Sequence, residues 1–374
     1  MRVLVLNAGS SSLKLSLVDS DDRTLVDREF EVAEGRLDEP QLAAAVRGME
    51  GIEAIGHRVV HGGPRYPASV RIDGEVIGYL VTITDLAPLH LPGELAGIAA
   101  MRELLPRMPA VACFDTAFHS RMPAAASTYA IPDEWRDRYG IKRYGFHGFS
   151  HAYASRRAAE MLGRSPHELK VVTCHLGAGA SLAAVRGGRS MDTTMGFTPL
   201  EGLVMATRSG TVDPGAVLYL ARHAGFSEAE ITEALDRKGG LLALAGTSDM
   251  REILQRIADG DDRAELAFDV YIHRLRALIA AMAAAMNGLD ALVFTGGVGE
   301  NAAPVRASAV AGLRFLGVEI GPTLNASLAP DSDISAPGSL VPTLVIKARE
   351  DVEVAREVRR VLTAPAKVGA GREV

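Results

Sequence analysis

Three turns of small residues in this sequence have the composition of a phosphate-binding site. The first runs from Asn7 to Ser12 (NAGSSS) and is followed by Lys14; the second is Gly177 to Ser181 (GAGAS), and the third is Gly296 to Asn301 (GGVGEN). Successive backbone N–H groups without bulky side chains can surround a phosphate, and a lysine adds positive charge. The first turn alone fits an ordinary hairpin loop equally well. Three such turns together favour phosphate chemistry, although no Walker A sequence and no Rossmann fingerprint in its usual position occurs.

Two arginines lie in segments where a charged side chain needs a partner of opposite charge. Arg58 falls inside the apolar, strand-like segment IGHRVVHGG, and Arg208 lies on a glycine-bounded loop, MATRSGTVDPG. A single arginine in such a place most often forms a structural salt bridge with a carboxylate. A pair of them also suits a phosphoryl-transfer site, where guanidinium groups stabilise the charge on the equatorial oxygens.

Histidines and carboxylates supply further candidates. In RYGFHGFSH, His147 and His151 are four residues apart, a spacing that on one helix would suit a metal pair. The flanking glycines interrupt a helix at His147, so we predict that His147 donates a hydrogen bond to an anion and that His151 packs inside or caps the helix. Asp115 ends the apolar run VACFD and Glu350 follows TLVIKA, positions where carboxylates meet Mg²⁺ or its waters, or are simply surface acids.

The apolar patterns around these residues predict a mixed α/β protein with an internal duplication. VLVLNAGSSSLKLSL and VVTCHLGAGASLAAV both read as strand, small-residue turn and strand. Other strands are predicted at 52–60, 110–114, 290–294 and 343–347, and helices at 95–105, 214–224, 227–236, 261–286 and 351–362. After the third turn, a helix is expected to start near Asn301.

Bulk properties exclude several classes of protein. The 374 residues are 48% hydrophobic and carry a formal charge of −6, which disfavours broad nucleic-acid binding. Cys113 and Cys174 lie in apolar runs and predict buried thiols rather than disulfides. The longest apolar stretch, Leu275 to Leu289, is too short to span a bilayer, and the N-terminal residues lack a signal-peptide pattern. We therefore expect a cytoplasmic protein that binds neither membranes nor nucleic acid.

Six segments carry a family resemblance: LNAGSSSLK, GHRVVHGG, FDTAFH, YGFHGFSH, MGFTPLEGLVMATRSG and TGGVGEN. They occur in the order found in acetate kinases, and the chain resembles that family along nearly its whole length. The resemblance implies two duplicated actin-like (ribonuclease H-like) α/β domains with mixed sheets around a central nucleotide cleft. Residues 1–119 with 352–374 would form the first domain, and 120–351 the second, with most nucleotide contacts. It also implies a homodimer that reversibly converts ATP and acetate to ADP and acetyl phosphate.

The resemblance also implies a role for each candidate residue. The catalytic residues would be Arg58, Asp115, His147 and Arg208. Asn7 and Glu350 would bind Mg²⁺, for which Mn²⁺ can substitute. The acyl group would contact Arg58, Val60, Leu89, Phe146 and Pro199. The nucleotide would contact Ser10, Ser12, Lys14, His175, Leu176, Gly177, Ala178, Gly179, Asp249, Met250, Arg251, Gly297, Val298, Gly299, Glu300 and Asn301.

The sequence departs from the family pattern at several places. Ala178 stands where the family usually has asparagine, HLPGEL replaces an asparagine-containing stretch, AREDV replaces a threonine-led segment before Glu350, and the chain is shortened before Arg58. Two alternatives to acetate kinase follow. Propionate or butyrate could be the substrate, because one methylene changes specificity by only about 1–3 kcal/mol. The second alternative is a nucleotide-binding scaffold without turnover, and Ala178 is the one feature that favours it.

Overall fold

The computed structural model describes residues 1–8, 12–31, 39–327, 329 and 331–364. The chain divides into two compact units, one made of residues 1–117 and the segment that starts at Arg349, the other of residues 118–348. Both are α/β units with one mixed sheet each. The strands are β1 Val3–Ala8, β2 Ser12–Val18, β3 Thr24–Glu31, β4 Ala54–Val59, β5 Val70–Arg71, β6 Ala110–Phe114, β7 Lys170–Leu176, β8 Ala180–Arg186, β9 Arg189–Thr193, β10 Ala291–Thr295, β11 Ser332–Asp333 and β12 Thr343–Val345.

Helices surround both sheets. They are α1 Glu39–Arg47, α2 Gly74–Thr82, α3 Leu91–Leu104, α4 Ala124–Ser127, α5 Asp133–Tyr139, α6 Gly148–Met161, α7 Pro214–Tyr219, α8 Glu228–Asp236, α9 Gly240–Ala245, α10 Met250–Ala258, α11 Asp262–Ala285, α12 Gly296–Asn301, α13 Ala303–Ala311, α14 Pro322–Ala326 and α15 Glu350–Thr363. Within the described ranges, none of these helices combines the length and the apolar character that a membrane span needs.

The first unit contains a six-stranded sheet in the order β3-β2-β1-β4-β6-β5. Strand β1 pairs antiparallel with β2 and parallel with β4, and β4 is parallel to β6. Alternate leucines such as Leu4, Leu6 and Leu15 form a core with Leu42 of α1 and Met101 of α3. Helix α15 packs against β4 so closely that a side chain at Gly56 would overlap Val354 and Val358 of the helix. The sheet is thus covered by helices that present apolar side chains to it.

The second unit repeats this arrangement with the order β11-β12-β10-β7-β8-β9. Strand β7 pairs antiparallel with β8 and parallel with β10, and β10 is parallel to β12. Apolar residues of α6, including Ala154 and Ala158, pack with Val171 and Val293 of the sheet. Each sheet therefore has an antiparallel meander joined to parallel strands, and the predicted duplicated α/β fold is confirmed.

Several element limits differ from the expectation. The predicted start of a helix near Asn301 is wrong: α12 already begins at Gly296 and ends at Asn301, and a second helix, α13, follows with a proline in its first turn. The predicted helix 214–224 consists of α7 followed by a π-helical turn over residues Leu220–Ala224. Both cysteines are buried free thiols, as predicted.

Candidate active site

Four of the predicted residues meet at the carboxyl ends of the central strands of the first unit. Arg58 near the end of β4 and Asp115 just after β6 are neighbours because these strands are parallel and in register. Arg58 donates from Nε to Asp115 Oδ1 over 2.8 Å and from Nη2 to Oδ2 over 2.6 Å. Asn7 lies opposite Arg58 in β1 and accepts from Nη1 over 2.8 Å. Glu350 begins α15 and lies 3.6 Å from Arg58 Nε.

Arg58 therefore has the carboxylate partner that the salt-bridge interpretation expects. Burial by itself lowers the pKa of the guanidinium, but the charges of Asp115 and Glu350 raise it above its ordinary value, so Arg58 stays charged. An arginine has five N–H donors, and three of them point to Asp115 and Asn7. The other two N–H groups, one on each Nη atom, are not used by Asp115 or Asn7, so the ion pair leaves donors for a substrate carboxylate.

Glu94 was not among the predicted site residues. Its two carboxylate oxygens each lie 3.1 Å from the backbone N–H of Val60, and the side chain is only 3% exposed. Burial raises the pKa of Glu94 to about 8, against the opposing effects of the Val60 hydrogen bond and the Arg58 charge. The sequence contains a signal that was missed, since Glu94 shares the helical spacing of the buried residues Leu91, Ile98 and Met101.

The oxygen atoms of Asn7 and Glu350 fit a magnesium site only in part. The two side chains are adjacent, since Asn7 Nδ2 donates to Glu350 Oε2 over 3.2 Å. Among the described residues, however, no group of three or more His, Cys, Asp or Glu is arranged to hold a metal. Mg²⁺ is commonly bound through one or two protein oxygens together with waters and substrate phosphates. The pair therefore fits Mg²⁺ that arrives with a nucleotide.

The first small-residue turn is only partly described. Gly9, Ser10 and Ser11 and the side chain of Ser12 lie outside the described residues. Lys14 on β2 is opposite Asn7 in β1, and its ammonium group lies 3.4 Å from the carboxylate of Glu29. Nucleotide contacts by Ser10, Ser12 and Lys14 therefore stay predictions.

In the second unit, His147 and Arg208 come together at the second small-residue turn. A Cβ atom placed on Gly179 would lie 3.3 Å from the His147 ring and 3.6 Å from Arg208 Nη1. His147 precedes α6 with a left-handed φ of 56°, so it lies outside the helix that contains His151, as the glycines predicted. Arg208 donates from Nη1 to the carbonyl of Pro199 over 3.3 Å. Burial lowers the pKa of Arg208, and the charge of Asp236 opposes this.

A chain of hydrogen bonds runs from His147 into the core. His147 Nδ1 lies 2.9 Å from Ser181 Oγ, Ser181 Oγ lies 2.8 Å from His151 Nε2, and His151 Nδ1 lies 2.7 Å from Thr173 Oγ1. Burial, together with the charges of His119 and His175, lowers the pKa of His151 well below its usual value. His151 is thus a neutral, packed residue, as predicted, and it also orients Ser181.

The second and third turns lie side by side because β7 and β10 are parallel neighbours. A Cβ on Gly177 would be 4.0 Å from the backbone nitrogen of Gly297. Gly296 has a φ of +79°, and a Cβ there would lie 2.8 Å from the carbonyl of Leu176, so this position needs glycine. The carbonyl of Ala178 accepts from Ala206 N over 3.1 Å, which connects the second turn to the segment of Arg208.

Arg306 of α13 is a second residue that the sequence did not reveal. It is fully buried, and it donates to the carbonyls of Gly299 and Glu300 over 2.8 and 2.9 Å and to Asn325. Burial lowers its pKa to about 10. Asn301 Nδ2 donates to the carbonyl of Gly297 over 2.8 Å. These contacts fix α12, which contains the third turn.

The other predicted contacts are placed as follows. Asp249 caps α10 and pairs with Arg251, whose side chain is 91% exposed. His175 Nδ1 lies 2.7 Å from Ser150 Oγ. Phe146, Leu176 and Met250 are buried, whereas Leu89, Pro199 and Val298 are partly exposed. Ligand contacts by these residues stay predictions.

Comparison with known proteins gives consistent matches. The model of the acetokinase family matches residues 36–356. An acetate kinase of Streptomyces griseus is 46% identical over 391 residues, covering 95% of each chain, and one of Gloeobacter violaceus is 54% identical over 308 residues, covering 82% of this chain and 76% of that one. The crystal structure of Porphyromonas gingivalis acetate kinase has a TM-score of 0.88 and is 36% identical to this chain. The crystal structure of a propionate kinase from Francisella tularensis has the same TM-score and is 38% identical. Each alignment covers 96% of this chain and 99% of the solved chain.

Proposed function

Because this chain belongs to the acetokinase family, we propose that it transfers the γ-phosphoryl group of ATP to acetate and forms ADP and acetyl phosphate reversibly. The observation that supports this most directly is the meeting of His147 and Arg208 beside Gly179, next to the paired glycine turns. Two side-chain donors beside a turn of small residues suit the charge of a phosphoryl group in transfer. The ion-paired Arg58 supplies a carboxylate-binding fork in the other unit.

The reaction needs no general base, because acetate is ionised at neutral pH. An acetate oxygen attacks the γ-phosphorus in line, the bond from that phosphorus to the β,γ-bridging oxygen breaks, and ADP leaves with the electron pair. Arg58 orients the acetate carboxylate with its two remaining N–H groups, and Asp115 holds the guanidinium in place. Arg208 and His147 stabilise the negative charge on the transferring group.

The hydrogen bond with Ser181 gives the His147 ring the orientation that this role needs. Because Ser181 Oγ engages Nδ1, the ring nitrogen left for a phosphoryl oxygen is Nε2. This nitrogen is one of the two ring atoms nearest Gly179. We infer that Ser181 orients the ring so that Nε2 contacts the phosphoryl oxygens.

Mg²⁺ is the expected metal, with Asn7 and Glu350 as its protein ligands and nucleotide phosphate oxygens completing the site. When bound, it neutralises charge on the phosphates. Lys14, Asp249 and the two described glycine turns are proposed as nucleotide contacts, and Val60, Leu89, Phe146 and Pro199 as contacts of the acyl methyl group.

A hydroxamate-trapping assay with ATP, Mg²⁺ and acetate, propionate or butyrate tests the proposed function. We expect kcat/KM to be highest with acetate, by about tenfold or more over propionate, since the curated relatives above are acetate kinases. A preference for propionate would move the assignment to the activity named for the Francisella tularensis structure. Absence of acyl phosphate from every acid, with ATP still bound, would support a scaffold instead.

We propose a homodimer, with the exposed apolar residues of the second unit as its contact surface. These residues are Val212, Leu218, Tyr219, Leu220 and Phe226, which lie within a short stretch of the sequence and are 39% to 63% exposed. Large exposed apolar side chains, when they form a contiguous surface, usually mark an interface. Light scattering should give about twice the chain mass for the wild type, and the chain mass for Leu218→Glu/Tyr219→Glu. A monomeric wild type would contradict the proposal.

A further inference from the structure

The first unit contains a cavity on the α3 face of its sheet. Its volume is about 180 Å³, and its lining comes from β4, β5, the start of β6 and the segment at the end of α3. At about 30 Å³ for each water, this is the volume of roughly six water molecules, enough for a small organic acid. The apolar part of the lining includes Ile55, Met101, Leu105 and Met108.

A buried polar side chain belongs to the lining of this cavity. His57 lines it and is only 3% exposed, and its Nε2 is buried with no hydrogen-bond partner among the described residues. Burial lowers the pKa of His57 to about 3, so the ring is neutral and can donate or accept a hydrogen bond. Because an unsatisfied buried polar group costs free energy, His57 is suited to a bound oxygen atom.

Two arginines provide a positive charge on the same lining. Arg71 of β5 and Arg102 of α3 are exposed, and within the described ranges neither guanidinium group has an ion-pair or hydrogen-bond partner. The neighbouring Glu103 and Arg107 are exposed but do not belong to the lining. Two guanidinium groups at one opening suit a carboxylate or another oxyanion.

We propose that this cavity binds a small carboxylic acid that carries a second hydrogen-bonding oxygen, such as a 2-oxo acid. The carboxylate contacts Arg71 and Arg102, the second oxygen contacts His57, and the carbon atoms lie against the apolar lining. The site is separate from the proposed phosphoryl-transfer residues. On β4, His57 and Arg58 are consecutive and therefore point to opposite faces of the sheet.

The ring resonances of ¹³C,¹⁵N-histidine-labelled protein test this proposal, since the chain has only ten histidines. The His57 signal is identified by its absence from His57→Gln, and pyruvate is titrated as the probe, with propionate and inorganic phosphate in parallel. We expect a saturable shift of the His57 signal with pyruvate and a dissociation constant at least about tenfold weaker in Arg71→Gln/Arg102→Gln. Arg107→Gln is the matched control and should bind like the wild type.

Several results would overturn the proposal. The first is the absence of a saturable shift of the His57 signal with pyruvate, and the second is equal affinity of the wild type and the double variant for pyruvate. The third is an equal response to propionate, which lacks the second oxygen, and the fourth is a response to inorganic phosphate but not to pyruvate. Each of these results would mean that His57 binds a water molecule or a simple anion instead of a 2-oxo acid. Because the measurement reads the His57 ring and not turnover, it remains informative even if no acyl phosphate is formed.

Discussion

At the scale of single residues, the site consists of charged side chains whose positions are fixed by contacts with neutral or oppositely charged neighbours. Arg58 is fixed by Asp115, whereas Arg208 has a carbonyl partner and lies beside a glycine turn. The types and local positions of Arg58, Asp115, His147 and Arg208 were predictable from the sequence. Glu94 was marked only by its place in the helical spacing of the buried residues of α3. The partners of Ser181 and Arg306 were not predictable, because they become neighbours only in the folded unit.

Substitution of Arg208 should affect the chemical step. We expect Arg208→Ala to lower kcat about 10²-fold or more while ATP binding changes less, because the lost contact acts mainly on transition-state charge. Steady-state kinetics measures this. Arg189→Ala, an exposed arginine of the same unit, serves as the control and should keep wild-type kinetics. Near-normal turnover of Arg208→Ala would remove Arg208 from the mechanism.

The orientation of the His147 ring can be tested through Ser181. Ser181→Ala removes the hydrogen-bond partner of His147 Nδ1, so we expect kcat to fall about tenfold with the KM for acetate almost unchanged. The ring signal of His147 should also show a changed tautomer by ¹⁵N NMR. Ser190→Ala is the control, since Ser190 bonds to His119 instead. An unchanged tautomer would show that Ser181 does not orient the ring.

At the scale of elements, adjacent parallel strands bring the functional loops together. The order of β4 and β6, and of β7 and β10, places Arg58 beside Asp115 and one glycine turn beside the other. The hairpins were predictable from alternating apolar residues and small-residue turns. The start of α12 was not, because three glycines predict a loop by propensity, and the contacts of Arg306 and Asn301 stabilise a helix there instead.

Arg306 should therefore be needed for both stability and nucleotide binding. Arg306→Met leaves the carbonyls of Gly299 and Glu300 without their buried donor, so we expect a loss of about 2–4 kcal/mol in the free energy of unfolding and a higher KM for ATP. Urea unfolding and ATP kinetics measure these. Arg314→Gln, an exposed arginine in the same unit, should change neither. Unchanged stability of Arg306→Met would contradict the proposed support of α12.

At the scale of the whole molecule, a repeated sheet order gives each unit its own set of reactive residues. The duplication was visible in the sequence because the hairpins alternate in the same way around their turns. The pairing of distant segments, such as Glu350 with Asn7, was not, because 343 residues separate them and only the folded sheet and α15 bring them together.

Buried neutral histidines predict that the protein is less stable in acid. Burial lowers the pKa of His119 to about 4 in the folded state, whereas an unperturbed histidine has a pKa of about 6.5. The unfolded chain therefore binds more protons between these values, and stability falls as the pH drops from about 6.5 to 4, by roughly 3 kcal/mol for His119 alone. Urea unfolding at several pH values measures this, and His119→Gln should show a shallower dependence. Stability that rises toward pH 4 would contradict the buried neutral state.

The most direct test of the central claim is ³¹P NMR of the reaction with ATP, Mg²⁺ and acetate labelled with ¹⁸O in its carboxylate. Direct attack of an acetate oxygen on the γ-phosphorus predicts equal formation of ADP and acetyl phosphate, with the isotope shift of a bridging ¹⁸O on the acetyl phosphate signal. Inorganic phosphate without acetyl phosphate, AMP in place of ADP, or acetyl phosphate with an unlabelled bridge would contradict transfer to the acetate carboxylate.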